Sequence, residues 1–347
     1  MRERKADHID ICVKERIAPD HNYWNDIKLV HEALPEVDYD DIDTSTVFLG
    51  RRLELPFMVT AITGGFPGAK RINANIAEAC SRMGVGMGVG SQRAALHDID
   101  VDSYTVINDF EVPLKVANLG APQLISQPGK EPFTDEELAQ AREMIGAHVL
   151  AIHLNYLQEV VQPEGDKRSV GCFERIRDIA RSHPIMVKET GAGISKATAQ
   201  RLKGIGVRAL DVSGMGGTSF SAVEMHRARK AQDRIRERIG ETFFDWGIPA
   251  PASLCMARVG LPLVASGGIE DGLQAAKALV LGADLAGTAN SVLKEAMVSA
   301  DAVEAKLQEM AEELRVAMML TGCRQLKQLP DRDHIVTGPT RDWIQRE

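Results

Sequence analysis

The chain is predicted to be an α/β protein, a (β/α)8 barrel with an N-terminal arm and a long insertion after the sixth strand. Three observations predict it. Eight short apolar runs alternate with segments of helical periodicity between residues 51 and 325, the pattern of a parallel sheet closed on itself. The last two runs each lead into a turn of small residues, Gly267-Gly268 and Gly287 to Asn290, and the loops after strands seven and eight are where such barrels hold a phosphate. The length of 347 residues accommodates a barrel of about 250 residues with additions.

Taken in order, residues 1–50 are polar, with a basic cluster at Arg4, Lys5 and His8 and an acidic stretch at 38–43, and are expected to form an arm before the barrel. Residues 55–61 are the first strand, and 72–84 a helix ended by Gly84. The next strands are 85–91, 113–120 and 148–155, the last two separated by a helix over 134–146 in which Thr134 and Glu137 have capping-box spacing. Residues 172–183 are helical and lead into the fifth strand at 184–190. A helix over 195–204 precedes the sixth strand at 207–214. An insertion at about 219–247 then breaks the rhythm, being far longer than an ordinary βα connection. Its mixed Arg, Lys, Asp and Glu read most simply as a solvated helical face or a mobile lid. The seventh strand is 261–265, the eighth 284–287, and the spacing of Val303, Leu307, Met310, Leu314 and Ala317 marks the closing helix. Residues 326–347 are a polar tail.

Bulk properties exclude several classes. Hydrophobic residues make up 44% and charged residues 26%, a globular balance, and the net charge of −8 gives no support for binding nucleic acid or an anionic membrane. The five cysteines have no CxxC spacing, so neither a disulfide framework nor a zinc site is suggested, and a reducing cytoplasm is the expected location. The amino terminus is charged where a signal peptide needs an apolar core, and no apolar run reaches membrane-spanning length.

Chemistry in such barrels sits where strands finish. The polar residues there are Thr60 and Thr63; Ser91, Gln92 and Arg93; Asn118; His153, Asn155, Gln158 and Glu159; Lys188 and Glu189; and Ser213, Gly216, Gly217 and Thr218. A buried Lys188 needs a partner, because an unpaired ammonium in the interior is costly. That partner is Glu189 or Asp211, or else Lys188 is a fixed cation beside an electron-rich ring or phosphate. Glycines Gly267 and Gly268 let backbone N–H groups close on an anion, and residues 213–219 suit a second anion nest or simply a tight turn. Glu159 is either structural or a single hard-metal ligand, which suffices for magnesium when the substrate is a diphosphate. Arg4, Lys5, His8 and Arg93 are the matching phosphate-pairing residues. No Ser-His-Asp order, HExxH helix or facing carboxylate pair for hydrolysis is present.

The joint order of RKADHI (4–9), AITGG (61–65), VGSQRAAL (89–96), VANLGAPQL (116–124), HLNYLQEVVQPEGD (153–166), VKETGAGIS (187–195), DVSGMGGTSF (211–220), DWGIP (245–249) and ASGGI (265–269) closely resembles the type 2 isopentenyl diphosphate isomerases over nearly the whole chain. The departures are Ile62 where that family has Met, and Met215 and Phe220 where a small residue and Trp are expected. The resemblance implies an FMN-dependent (β/α)8 enzyme that interconverts isopentenyl and dimethylallyl diphosphate. It implies FMN contacts at Ala61, Ile62, Thr63, Ser91, Asn118, Lys188, Ser213 and Thr218, with the phosphate at Gly267, Gly268, Ala289 and Asn290. Substrate contacts are implied at Arg4, Lys5, His8, Ser91, Gln92, Arg93, His153, Asn155 and Gln158, and magnesium on Glu159. Reduced FMN, through N5, is then the main acid and base, with Gln158 and Glu224 assisting. NADPH or NADH is the expected reductant, and a homo-oligomer, tetramer or octamer, the expected assembly.

Two rivals use the same barrel. An FMN-dependent 2-hydroxy acid oxidase or dehydrogenase would share the phosphate turns and Lys188 but needs a base over the substrate carbon, for which His153 is the candidate. A phospholigand-binding sensor would need far fewer convergent polar residues.

Overall fold

The computed structural model describes residues 2–345. Eight parallel strands close into a barrel: β1 (Phe57–Val59), β2 (Gly86–Gly88), β3 (Lys115–Gly120), β4 (Val149–Leu154), β5 (Ile185–Glu189), β6 (Ala209–Asp211), β7 (Leu263–Ala265) and β8 (Leu285–Thr288), with β8 pairing back onto β1. The first seven fall inside their expected runs, and β8 extends one residue past its own, to Thr288. Successive side chains alternate between two cores, as the strand pleat requires. Val149 and Ala151 of β4 point into the barrel with Met58, Val116, Met186, Val264 and Leu285. Leu150 and Ile152 point outward to the helices. An antiparallel hairpin, Thr46–Phe48 with Arg51–Leu53, plugs the amino-terminal mouth by adding Phe48 and Leu53 to the inner core. Its two-residue turn, Leu49 (φ 48°) and Gly50 (φ 77°), has the left-handed backbone that matches strand twist.

The helices follow their signals. Helix α2 (Ala69–Met83) buries Ile72, Ile76 and Cys80 and ends at left-handed Gly84. Helix α3 (Asp135–Met144) has the full Thr134/Glu137 capping box. Helices α4 (Cys172–Ser182), α5 (Lys196–Gly204), α8 (Gly272–Val280) and α9 (Ala300–Leu320) complete most of the ring. Between β2 and β3 the chain makes only 3-10 turns and one four-residue helical turn, because Asp98 and Asp100 adopt φ of 55° and 48° and interrupt any longer helix.

The insertion corrects the reading of a solvated or mobile segment. Its first helix, α6 (Phe220–Lys230), is a wall of the barrel mouth, burying Ala222, Val223, Glu224, Met225 and His226. Gly240 of the second helix, α7 (Arg234–Thr242), lets the pair approach closely: a Cβ there would stand 2.7 Å from that of Met225. Only α7 is the exposed charged face that was expected. The arm starts with helix α1 (Arg2–Lys14), seated on α6 through Ile11, Ile17, Ala222 and Val223. Further along the arm, strand Ile27–Leu29 pairs antiparallel with His334–Val336 of the tail, so the two ends of the chain are tied together. No helix among the described residues is long and apolar enough to cross a membrane.

Candidate active site

The carboxyl ends of all eight strands, α1 and the start of α6 line one cavity. Every site residue expected from sequence lines it except Gln92 and Glu224. Gln92 is turned into the protein, where its amide donates to the Ala141 carbonyl (2.7 Å) and accepts from the Asn118 backbone N–H (2.9 Å). Its side chain thus braces the end of β3 and does not face the cavity. Its neighbour Arg93 faces the cavity instead.

At the β7 end, Gly267 (φ 94°) and Gly268 (φ 84°) have left-handed backbone, and a Cβ on Gly267 would stand 2.1 Å from the Gly214 carbonyl oxygen. The backbone N–H groups of Gly268, Ile269, Gly217 and Thr218 have no hydrogen-bond partner among the described residues. Converging unpartnered N–H groups on a surface too crowded for side chains form an anion nest, and a phosphate monoester is its natural guest.

Next to β6, which leads into the Gly217 and Thr218 side of the nest, Lys188 is buried at the end of β5. Its ammonium donates to the Glu189 carbonyl (3.0 Å) and lies 3.6 Å from Asp211 Oδ2. Both partners weighed from sequence are thus present, Glu189 through its carbonyl only. Asp211 is wholly buried and accepts a short hydrogen bond from Ser266. The Glu189 carboxylate is instead clasped by the N–H groups of Thr190 (2.6 Å), Gly191 (2.8 Å), Ala192 (2.5 Å) and Gly193 (3.2 Å). Burial nonetheless pushes its pKa up to about 7, against the pull of those donors. His153 Nδ1 lies 2.8 Å from Asn118 Oδ1, and the Asn118 amide nitrogen donates to the Val89 carbonyl. Asn118 Oδ1 is therefore an acceptor, which leaves the proton on Nδ1 and a lone pair on Nε2. Burial, with Lys188 and Lys5 nearby, depresses the His153 pKa to about 3, so the ring is neutral.

The third region is cationic. Lys5 donates to the Ser91 carbonyl (2.9 Å) and the Tyr104 hydroxyl (2.6 Å), both neutral acceptors. Burial first, then the charges of Arg4 and Arg93, lowers its pKa to about 7. Arg93 donates to Asp166 Oδ2 (2.8 Å); Gln123 (2.9 Å) and Lys130 (2.5 Å) also hold that carboxylate. The Asp166 N–H in turn donates to Glu159 Oε2 (2.7 Å), fixing the carboxylate expected to take a metal. Asn155 donates to the other Glu159 oxygen (3.2 Å), while its own Oδ1 is buried without a partner among the described residues. A carboxylate and an orphaned amide oxygen side by side suit a hard cation whose other ligands are phosphate and water.

Glu224 sits behind the wall, fully buried, accepting from His8 Nε2 (2.9 Å), Gln158 (3.1 Å) and Arg227 (2.6 Å). Burial alone would raise its pKa, but the hydrogen bond and proximity of His8, the Arg227 guanidinium and the Gln158 amide together hold it below the usual value. Of the two assisting roles expected for it, proton transfer or orientation, this placement suits orientation of Gln158 and His8. In the orientation that satisfies both neighbours, the Gln162 amide donates to Glu224 (3.2 Å) and accepts from Arg4 (2.9 Å). Sequence reasoning missed Tyr104, Gln123, Gln162, Asp166 and Arg227. Gln162 and Asp166 lie inside the quoted 153–166 stretch, which was their only signal.

Residues 105–337 match the family of FMN-dependent dehydrogenases. The isopentenyl-diphosphate delta-isomerase of Thermoplasma acidophilum is 46% identical, the alignment covering 99% of both chains. That of Archaeoglobus fulgidus is 42% identical over 99% of this chain and 98% of its own. Among solved structures, a mandelate oxidase variant with (S)-mandelic acid superposes with a TM-score of 0.64 over 97% of both chains at 17% identity, a likeness of fold alone.

Proposed function

The chain belongs to the FMN-dependent isopentenyl-diphosphate delta-isomerases, and from that premise we propose that it moves the double bond of isopentenyl diphosphate by adding a proton at the terminal alkene carbon and removing one from C2. The observation that carries this reading is the convergence of two anion sites, the Gly217/Gly268 nest and the Lys5/Arg93 pair, on opposite sides of one cavity. A flavin phosphate and a substrate diphosphate require two such sites. When bound, reduced FMN supplies the acid and base, and magnesium supplies charge to the diphosphate.

The protein's own groups do the rest. Lys188, held by Asp211, which Ser266 fixes in turn, would set a cation beside the bound reduced ring and stabilise its negative charge. Arg4, Lys5 and Arg93 receive the diphosphate, while Glu159 and the Asn155 amide oxygen hold its metal. Glu224 anchors Gln158 and His8 on the facing wall. Ile9, Ile62 and Phe220 line the cavity with apolar surface, which keeps water from a tertiary carbon carrying positive charge. By the same proposal the reductant is NADPH or NADH, the location cytoplasmic and the assembly a homo-oligomer.

His153 offers a neutral imidazole with a free lone pair, the one feature that favours the hydroxy acid oxidase reading. Incubating the FMN-loaded, dithionite-reduced protein with isopentenyl diphosphate and magnesium, and following acid-labile dimethylallyl diphosphate, separates the two. Dimethylallyl product supports the isomerase; its absence, with turnover of a 2-hydroxy acid, overturns it.

A further inference from the structure

The phosphate turn is held from behind by a segment of the arm. The Trp24 indole N–H donates to the Gly267 carbonyl (2.8 Å), and the Asn22 amide donates to the Gly268 carbonyl (2.8 Å). Trp24 is completely buried, and neither residue lines the cavity. A trans peptide is planar, so its C=O and N–H point in opposite directions. Drawing the Gly267 carbonyl back toward Trp24 therefore turns the Gly268 N–H forward, and drawing the Gly268 carbonyl toward Asn22 does the same for the Ile269 N–H. Those are two of the unpartnered donors of the nest. With left-handed φ at both glycines, the turn has little intrinsic preference for this peptide orientation, because glycine adopts many others at similar energy.

The segment is itself anchored. Lys277 of α8 donates to the Trp24 carbonyl (3.1 Å), and Asn22 Oδ1 accepts from the Trp24 N–H (3.1 Å). Buried Asp26 accepts from the Thr340 hydroxyl (2.6 Å) and backbone N–H (3.2 Å) in the tail. We infer that Asn22 and Trp24 are positioning residues for the cofactor phosphate, setting the two peptide planes of the Gly267-Gly268 turn so that their N–H groups face the cavity before any ligand arrives. This rests on the reading that the nest takes the phosphate of FMN, and it adds to that reading a preorganising role for the arm and tail.

The test compares affinities for FMN and for riboflavin, which has the same ring without the phosphate, by quenching of flavin fluorescence. Asn22→Ser keeps a capping oxygen and adds no charge but removes the amide donor to Gly268. Trp24→Phe removes the indole N–H and keeps a buried aromatic ring. Each variant is expected to weaken FMN binding by about tenfold, as one hydrogen bond to a preset turn implies, with riboflavin binding unchanged. Circular dichroism and apoprotein melting accompany both, and the two variants perturb packing differently, so a folding failure in one leaves the other to decide. If both keep the wild-type preference for FMN over riboflavin, the inference is overturned while the phosphate site stands. Equal loss for FMN and riboflavin overturns it in favour of a general structural role. A wild type that shows no preference for FMN overturns the underlying reading as well.

Discussion

If Lys5 receives the substrate diphosphate as proposed, substrate binding is a proton-linked event. In the free site its ammonium donates to two neutral acceptors, and burial first, then the charges of Arg4 and Arg93 against the opposing pull of Asp100, puts its pKa at about 7 instead of the usual 10.5. A diphosphate beside it reverses the local charge and stabilises the protonated form. Below pH 7 the lysine is charged in both free and bound protein, so affinity does not vary on its account. Above pH 7 the free lysine is neutral and binding must take up one proton, so KM should rise by about tenfold for each further pH unit. From pH 7 to pH 9 that is roughly a hundredfold. The assay is steady-state kinetics of the reduced, FMN-loaded protein between pH 6 and 9, with Lys5→Arg alongside, because a guanidinium stays charged throughout. The substrate's own last phosphate ionisation affects both proteins equally, so the difference between their KM profiles isolates Lys5. Parallel profiles, or a wild-type KM that does not rise above pH 7, would refute the reasoning.

Three further outcomes follow from the same geometry. Glu159→Gln should raise the magnesium concentration for half-maximal activity by at least tenfold while leaving FMN affinity intact, since an amide is a poorer ligand for a hard cation; an unchanged metal titration makes Glu159 structural. Lys188→Ala should weaken FMN binding and abolish turnover, because it removes the cation beside the ring and leaves buried Asp211 unpaired; normal affinity and normal turnover together would exclude the role. Glu224→Gln should lower stability in urea by about 1.5–3 kcal/mol, the range for losing a charged hydrogen-bond partner, with Arg227 keeping Glu164 as its other partner. A melt identical to wild type would show that the His8–Glu224–Arg227 group contributes nothing.

The strands and the face they present were legible because both depend on local pattern. Apolar runs bounded by glycine locate β1 to β8, and polar residues at their ends necessarily meet at one mouth. What escaped depends on contacts between distant segments. Helix α6 buries Glu224 and His226 alongside Ala222 and Val223, so its hydropathy resembles a solvated helix; Glu224 is satisfied by His8, Gln158 and Arg227, and His226 by the Arg16 carbonyl, which no periodicity reveals. Gln92 and Arg93 are adjacent in sequence yet face opposite ways, one into the core and one into the cavity. Asp166 lies in a polar loop indistinguishable from solvent-exposed sequence, although it joins Arg93 to Glu159. The polar arm concealed a buried Trp24, whose indole N–H bonds a glycine carbonyl 243 positions away.

An anaerobic turnover in deuterated water distinguishes flavin-dependent isomerisation without net electron transfer from a redox reaction. With a fixed, known amount of reduced FMN on the protein and excess isopentenyl diphosphate, the proposed isomerisation predicts many turnovers per flavin. It also predicts an unchanged reduced-flavin spectrum, one deuterium delivered to the former terminal alkene carbon, and no product from the oxidised holoprotein. Turnover that stops after one equivalent with the flavin reoxidised, or equal activity with oxidised flavin, would contradict it.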